Sequence, residues 1–269
     1  MQPKLKNERH SMRIALAQFD VKSGETNCNL ATASEYITLA AKQGAKLVVL
    51  PELWSSGFDL EHCQTHARAS HETVLPALIQ LARCHKVYIV GSVLKANSRR
   101  EVFNSAMLLG PGTEPIRVYR KIHLFSPMQE SQFLTPGRTT PIFHLSFGAA
   151  ALAICYDLRF PELFRKYALN GARLIILCAQ WPAARLEHWR TLVRARAIEN
   201  QLFIVACNRV GSSQGTKFGG HSMIVDPWGN VLEEGAGRAA LLTADIDFRA
   251  VNDSRSRISS LNDRRPEVY

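Results

Sequence analysis

The sequence predicts an α/β protein folded as a four-layer α-β-β-α sandwich with an internal pseudo-two-fold duplication. Three observations lead there. Apolar, strand-like runs alternate with helix-spaced segments, the pattern of sheets covered by helices. Four blocks of the first half recur in the second half in the same order. No linker separates the halves of this 269-residue chain, whose 46% hydrophobic content suffices for a sizeable core.

Residues 13–19 form the first strand-like run. Residues 25–42 carry apolar side chains at helical spacing (Leu30, Ala33, Ile37, Ala40, Ala41) and stop before Gly44, a residue type that ends helices. Residues 47–50 are a short, wholly apolar run of the kind found in strands covered on both faces. Residues 73–85 read as a helix, 87–93 as a strand, and 116–119 as strand-like. The apolar run 149–154 leads through a polar turn to Pro161-Glu162, which starts a helix. Residues 187–200 read as a helix with Trp189, Leu192, Val193 and Ala197 on one face.

The repeated blocks are short. ALAQFD at 15–20 resembles ALAICYD at 151–157. GAKLVVL at 44–50 resembles GARLIIL at 171–177, and each is followed by a tryptophan (Trp54, Trp181). VYIV at 87–90 resembles LFIV at 202–205, and AMLLGP at 106–111 resembles SMIVDP at 222–227. One apolar match carries little weight, because strands look alike; four in the same order carry more. Two sheets covered by helices on one side must bury their other faces against each other, which gives the sandwich. An ordinary doubly wound sheet also fits the alternation. The repeat is broken at one point, because Glu52 follows the first-half strand and its counterpart is Ala179.

A single domain over 12–269 is expected, preceded by a flexible N-terminal arm over 1–11. The arm is polar and basic and does not read as a secretory signal. No apolar stretch approaches the roughly 18–20 residues of a membrane span. The six cysteines lie without regular spacing, which argues against a disulfide framework. Cys178 and Cys207, within apolar runs, are expected to be buried. These features imply a cytoplasmic protein. The formal charge is +10, but the basic residues are dispersed and accompany no nucleic-acid motif. They are read as a basic surface that attracts an anionic substrate, not as a nucleic-acid surface. His62-Cys63 with His66, and Cys84-His85, lack the paired spacing of a zinc site, so no metal is expected.

Three residues suggest chemistry. Cys155 lies between the run 149–154 and the helix start at Pro161. The field of a helix N-terminus favours thiolate, and a turn exposes the sulfur and frees backbone N–H groups for an oxyanion. A buried structural cysteine fits the same position. Glu52 ends a buried strand, where partial desolvation lifts a carboxyl toward the range of a general base; a solvated strand-end glutamate is the plain alternative. Lys121 follows the run 116–119 and carries the charge that an anionic tetrahedral intermediate needs, but it is one of 33 basic residues.

The strings that hold them are LPELW at 50–54, YRKIHLF at 119–125 and ICYDLRFPE at 154–162. Together and in this order they resemble the signatures of the nitrilase superfamily of carbon–nitrogen hydrolases, and the likeness runs from about residue 12 to 269. The resemblance implies roles. Cys155 is the nucleophile, Glu52 the general base and acid, and Lys121 forms an oxyanion hole with the backbone N–H of Tyr156. Glu130, within MQESQFLTPG at 128–137, is the second glutamate that orients the lysine or the substrate. No cofactor and no metal are implied.

QWPAARLEHWR at 180–190, running into RARAIENQ at 194–201, resembles the omega-amidase branch, which includes 2-oxoglutaramate amidases. The activity implied is hydrolysis of the terminal carboxamide of a small 2-oxo acid amide, 2-oxoglutaramate or 2-oxosuccinamate, through a thioester. A carboxylate substrate needs a cation, and Arg159 is the candidate; an arginine bonding turn carbonyls or Asp157 is the alternative. Trp181 is either an apolar pocket wall or a core residue. Deaminated glutathione amidases and N-carbamoyl amino acid hydrolases, which share the Glu–Lys–Cys triad and differ in pocket shape, are the alternatives within the superfamily. A non-catalytic binding protein on this fold is the reading from another class. The resemblance also implies a homodimer or larger homo-oligomer, with no nucleic-acid or membrane partner.

Overall fold

In the computed structural model, which describes residues 11–112 and 115–268, the first half begins with β1 (Ser11–Gln18), α1 (Thr26–Lys42) and β2 (Leu47–Val49). It continues with α2 (Cys63–Ala69), α3 (Leu75–His85), β3 (Tyr88–Ala96), β4 (Val102–Leu109) and β5 (Arg117–Arg120). A short helix, α4 (Glu130–Phe133), and an edge strand, β6 (Phe143–Leu145), lead into the second half. There β7 (Gly148–Ile154), α5 (Pro161–Leu169), β8 (Leu174–Ala179), α6 (Leu186–Asn200) and β9 (Phe203–Asn208) alternate. A small hairpin of β10 (Ser212–Ser213) and β11 (Thr216–Lys217) precedes β12 (Met223–Val225) and β13 (Val231–Glu234). β14 (Ala240–Asp247) and α7 (Arg249–Arg257) follow.

These strands form two six-stranded sheets, ordered β14-β1-β2-β3-β4-β5 and β13-β12-β9-β8-β7-β6. The central trios β1-β2-β3 and β7-β8-β9 are parallel. The sequence repeat is a repeat of hydrogen-bond register. Ala15 pairs with Val48 as Ala151 pairs with Ile175. Val48 pairs with Ile89 as Ile175 pairs with Ile204, and Ile89 with Leu109 as Ile204 with Val225. The halves differ at one edge, where β14 lies beside β1 and β6 beside β7.

Side chains alternate across a strand, and the two faces of the first sheet bury different sets. Ile14, Leu16, Leu47, Val49, Val90 and Leu108 join the core shared with the second sheet. Ala15, Ala17, Val48, Leu50, Ile89 and Met107 pack beneath Ala33, Ile37 and Ala40 of α1 and Leu75, Leu78 and Ala82 of α3. On the far side α5 buries Leu163, Phe164 and Tyr167, and α6 buries Trp189, Val193 and Ala197. Each such large apolar side chain contributes roughly 1.5–3 kcal/mol on burial. The layers are helix, sheet, sheet, helix, as the sequence predicts, and the single doubly wound sheet is ruled out.

Three details differ from the sequence reading. β1 starts at Ser11, paired with Asp247, one residue before the expected domain start; the rest of the arm, residues 1–10, and Tyr269 lie outside the described residues. The helix expected over 73–85 begins at Leu75 and continues from α2 through a wide π-helical turn, Ser70–Val74. Pro76 in the first turn of α3 has no N–H to donate backward, which suits a loosened turn before it. α2 itself shows no apolar stripe in sequence, yet it buries Cys63, His66 and Ala67. Cys178 and Cys207 are buried as expected. No helix among the described residues is long and apolar enough to cross a membrane.

Candidate active site

The C-terminal ends of the strands converge on one region, the usual location of a ligand in a parallel α/β sheet. Glu52 follows β2, Lys121 follows β5, Cys155 follows β7 and Gln180 follows β8. Glu130 opens α4. Each of the three turns carrying an acid or the thiol contains a non-glycine residue with left-handed backbone: Leu53 (φ 41°), Gln129 (φ 58°) and Cys155 itself (φ 43°). Such strain persists only where surrounding contacts hold it, and it clusters at functional sites.

The polar groups meet inside the protein. Glu52, Lys121 and Glu130 are almost wholly buried, and Cys155 is 7% exposed. The Lys121 ammonium donates to Glu52 Oε1 at 2.8 Å and to Glu130 Oε1 and Oε2 at 2.8 and 2.7 Å. The Gln180 backbone N–H donates to Glu52 Oε2 at 3.0 Å, and the Gln180 side-chain amide donates to the Glu52 carbonyl at 2.6 Å. Gln180 is held in turn by the buried Arg209 guanidinium, 2.8 Å from its Oε1. Asn104 of β4 donates from Nδ2 to Glu52 Oε1 at 2.9 Å and to Glu130 Oε1 at 3.3 Å. The Phe125 N–H donates to Glu130 Oε2 at 2.6 Å. Glu52, Lys121, Cys155 and Glu130, separated by up to about a hundred positions in sequence, thus form one cluster.

A second network fixes the cysteine turn to the lysine strand. Asp157 Oδ2 accepts from the Tyr119 hydroxyl at 2.7 Å and from the Ile154 N–H at 2.9 Å. Its Oδ1 meets the His123 N–H at 3.2 Å and His123 Nδ1 at 2.7 Å. The His123 ring stacks on Phe160 with centroids 3.6 Å apart. On the other side of Lys121, the Gly137 N–H donates to the Lys121 carbonyl at 2.7 Å. A Cβ at Gly137 would collide with the Arg120 backbone, so only glycine allows this approach.

Electrostatics follow from burial. Burial raises the Glu52 pKa above the ordinary glutamate value, against the opposing charge of Lys121. Burial opposes the charge of Lys121, but the Glu130 and Glu52 carboxylates outweigh it and raise its pKa, so the ammonium stays protonated. Burial, then the charge of Glu52, pushes the Cys155 thiol well above its usual range. This corrects the expectation that a helix field holds Cys155 as thiolate. A turn, Cys155–Arg159, separates the sulfur from α5 at Pro161, and the helix field fades within about one turn. The resting group is a thiol beside a carboxyl. The Tyr156 N–H, at the start of that turn, has no earlier carbonyl of the turn to bond.

A narrow cleft opens beside the thiol, with Phe58, Phe125, Met128 and Pro182 among its apolar lining and Lys121, Arg159 and Arg185 among its polar lining. Trp181 serves both alternatives raised for it: it lines the cleft and is 2% exposed, packed against Trp189 with centroids 5.7 Å apart. The Arg159 guanidinium lies 4.8 Å from the Trp181 ring and bonds His188 Nδ1 at 3.3 Å. It makes no bond to Asp157, whose oxygens serve Tyr119, Ile154 and His123. Arg185 lies over the Phe125 ring at 5.7 Å. The sequence reading missed Asn104, Arg185, Phe58 and Phe125. A polar Asn104-Ser105 pair inside the otherwise apolar strand VFNSAMLL was the available signal for the first. His62 and His66 both bond Asp59, at 2.9 and 2.7 Å, and no group of three ligand-type residues among the described residues forms a metal cluster.

A thiol, a carboxyl and an ammonium gathered at the strand ends of a duplicated α-β-β-α sandwich is the setting of a hydrolase. The chain belongs to the carbon–nitrogen hydrolase family, whose sequence profile matches residues 13–256, and it is a hydrolase of carbon–nitrogen bonds. It is 37% identical over 256 residues to the 2-oxoglutaramate amidase of Bacillus subtilis (strain 168), covering 95% of this chain and 98% of that one. It is 31% identical over 268 residues to the omega-amidase NIT2 of Mus musculus, covering 96% and 97%. Among solved structures it matches Nit3 of Saccharomyces cerevisiae, a member of branch 10 of the nitrilase superfamily. That match has a TM-score of 0.86 and 28% identity, over 93% of this chain and 94% of that one. The nitrilase-superfamily resemblance read from the three strings therefore holds.

Proposed function

We propose that this enzyme hydrolyses the terminal carboxamide of a small 2-oxo acid amide, 2-oxoglutaramate or 2-oxosuccinamate, to the acid and ammonia. The lining of the cleft carries this reading. Three cations, Lys121, Arg159 and Arg185, face a space whose lining contains no acidic side chain. With Lys121 committed to the carboxylates beneath, the two guanidiniums are matched to a substrate carboxylate and its adjacent oxo group. The similarity to proteins named 2-oxoglutaramate amidase and omega-amidase supports the same substrate class.

The residues then act in order. Glu52 takes the proton of the Cys155 thiol as the sulfur attacks the amide carbonyl, forming the C–S bond. The carbonyl electron pair moves to oxygen, which Lys121 and the Tyr156 N–H stabilise. Glu52 returns the proton to the amide nitrogen, the C–N bond breaks and ammonia leaves a thioester on Cys155. Water then attacks the thioester and gives its proton to Glu52. The C–S bond breaks, and the sulfur recovers a proton as the acid departs. Glu130 steadies Lys121 through both steps. A neutral resting thiol suits this sequence, because the proton leaves only when the carbonyl is in place. A thiol nucleophile keeps best in a reducing compartment, which supports a cytoplasmic location, and we propose a homodimer or larger homo-oligomer.

Ammonia release from a panel tests the reading: 2-oxoglutaramate, 2-oxosuccinamate, deaminated glutathione and an N-carbamoyl amino acid, with Cys155→Ala as the blank. For deaminated glutathione the acid product is followed as well. Higher kcat/KM on the 2-oxo acid amides is expected. Preference for either of the other two substrates would overturn the substrate assignment.

A further inference from the structure

We propose that Asn104 is a positioning residue that reserves one oxygen of Glu52 for proton transfer. A carboxylate oxygen accepts about two hydrogen bonds. Glu52 Oε1 accepts from the Lys121 ammonium at 2.8 Å and from Asn104 Nδ2 at 2.9 Å, so it is filled. Glu52 Oε2 accepts from the Gln180 N–H at 3.0 Å, which leaves it a lone pair for the Cys155 proton. The inference rests on the reading of Glu52 as the base, and it says which of its atoms does the work.

Lys121 cannot fill Oε1 alone throughout the cycle. Its ammonium has three protons and meets three carboxylate oxygens, one on Glu52 and two on Glu130. To stabilise an oxyanion it must redirect one of them. Asn104 then keeps a donor on Oε1, and through its 3.3 Å contact it also keeps Glu130 beside Glu52. The side chain is held in register with the lysine, because the Lys121 N–H donates to the Asn104 carbonyl at 2.8 Å.

The amide's orientation is set by chemistry, since both carboxylates only accept. Its other end makes no competing bond: Asn104 Oδ1 is buried with no partner among the described residues. An unpaired buried acceptor is unfavourable, and an apolar side chain would avoid it. The donor end is what the site uses.

The test is the pH dependence of ammonia release from 2-oxoglutaramate by wild type, Asn104→Leu and Glu52→Gln. Leucine matches asparagine closely in size and removes the donor. A carboxylate that loses a donor to its charged form titrates at higher pH. Asn104→Leu should therefore move the acid limb of the kcat/KM profile up by about one pH unit and lower kcat by about 10–100-fold, a part of the roughly 10²–10⁴-fold that proton transfer by a positioned side chain contributes. KM should stay close to wild type. If Asn104→Leu gives no folded protein by circular dichroism, Asn104→Ala carries the same expectation. An acid limb that does not move, or a change in KM alone, would overturn the inference. Glu52→Gln separates the two levels. If it is inactive while the Asn104 variant leaves the limb unmoved, the base stands and Asn104 is merely structural. If Glu52→Gln keeps wild-type activity, the reading of the base itself fails.

Discussion

Replacing Arg159 by methionine isolates the charge that the proposed substrate needs. Methionine keeps an unbranched apolar stem, so contact with the Trp181 ring is retained while the guanidinium is lost. A hydrogen bond to a charged partner is worth about 1.5–3 kcal/mol, and about 1.4 kcal/mol is a factor of ten. The loss expected in kcat/KM on 2-oxoglutaramate is thus about 10–100-fold. Arg185 lines the same cleft and retains part of the charge, so the single variant falls toward the lower end. The Arg159→Met/Arg185→Met double variant should lose more than the two singles added together, as expected for groups sharing one partner. The assay is ammonia release from 2-oxoglutaramate alongside a neutral primary amide such as butyramide. The neutral amide should be turned over at nearly the wild-type rate. Equal loss on both substrates would mean that the cleft has collapsed, and no loss on either would mean that Arg159 does not meet the carboxylate. Both results refute the argument.

Other predictions concern the resting site and its frame. Because burial raises the Glu52 pKa, the base is ionised only above that raised value and is lost as pH falls through it. The acid limb of wild-type kcat/KM should therefore lie above the ordinary glutamate value of about 4.3; a limb at or below that value would contradict the burial argument. Because the Cys155 thiol is held neutral, with its pKa well above the usual range, iodoacetamide should label it no faster at neutral pH than the exposed Cys28 or Cys84. Peptide mapping showing fast, thiolate-like labelling of Cys155 would be the contrary result. Gly137→Ala drives a methyl into the Arg120 backbone and should cost about 1–3 kcal/mol of stability, the range for overpacking. An unchanged urea midpoint would show that the loop moves aside.

Much of the fold was legible because apolar patterning determines it. The four repeated blocks correctly paired β1 with β7, β2 with β8, β3 with β9 and β4 with β12, to the residue in register. Buried strands admit little besides apolar side chains, and so the repeat survives there. Helix α2 was not legible, because its buried face is made of Cys63, His66 and Ala67, which leave no apolar stripe. Glu52, Lys121 and Cys155 were legible as residues following strand-like runs and Glu130 only through the family resemblance, and the structure joins them in one cluster. The protonation state of Cys155 was not, since it depends on a burial and a carboxylate neighbour that only the three-dimensional arrangement supplies. Arg185 was visible within QWPAARLEHWR, but its entry into the cleft depends on the short turn Ala183–Arg185 after Trp181.

The central claim is that Cys155 carries the acyl group between the loss of ammonia and the release of acid. Wild-type enzyme turning over 2-oxoglutaramate, quenched in acid and digested, tests it most directly by mass spectrometry. The account predicts an acyl adduct on the peptide containing Cys155, and neither adduct nor turnover in Cys155→Ala. Continued turnover by Cys155→Ala, or an adduct on a different cysteine, would contradict it.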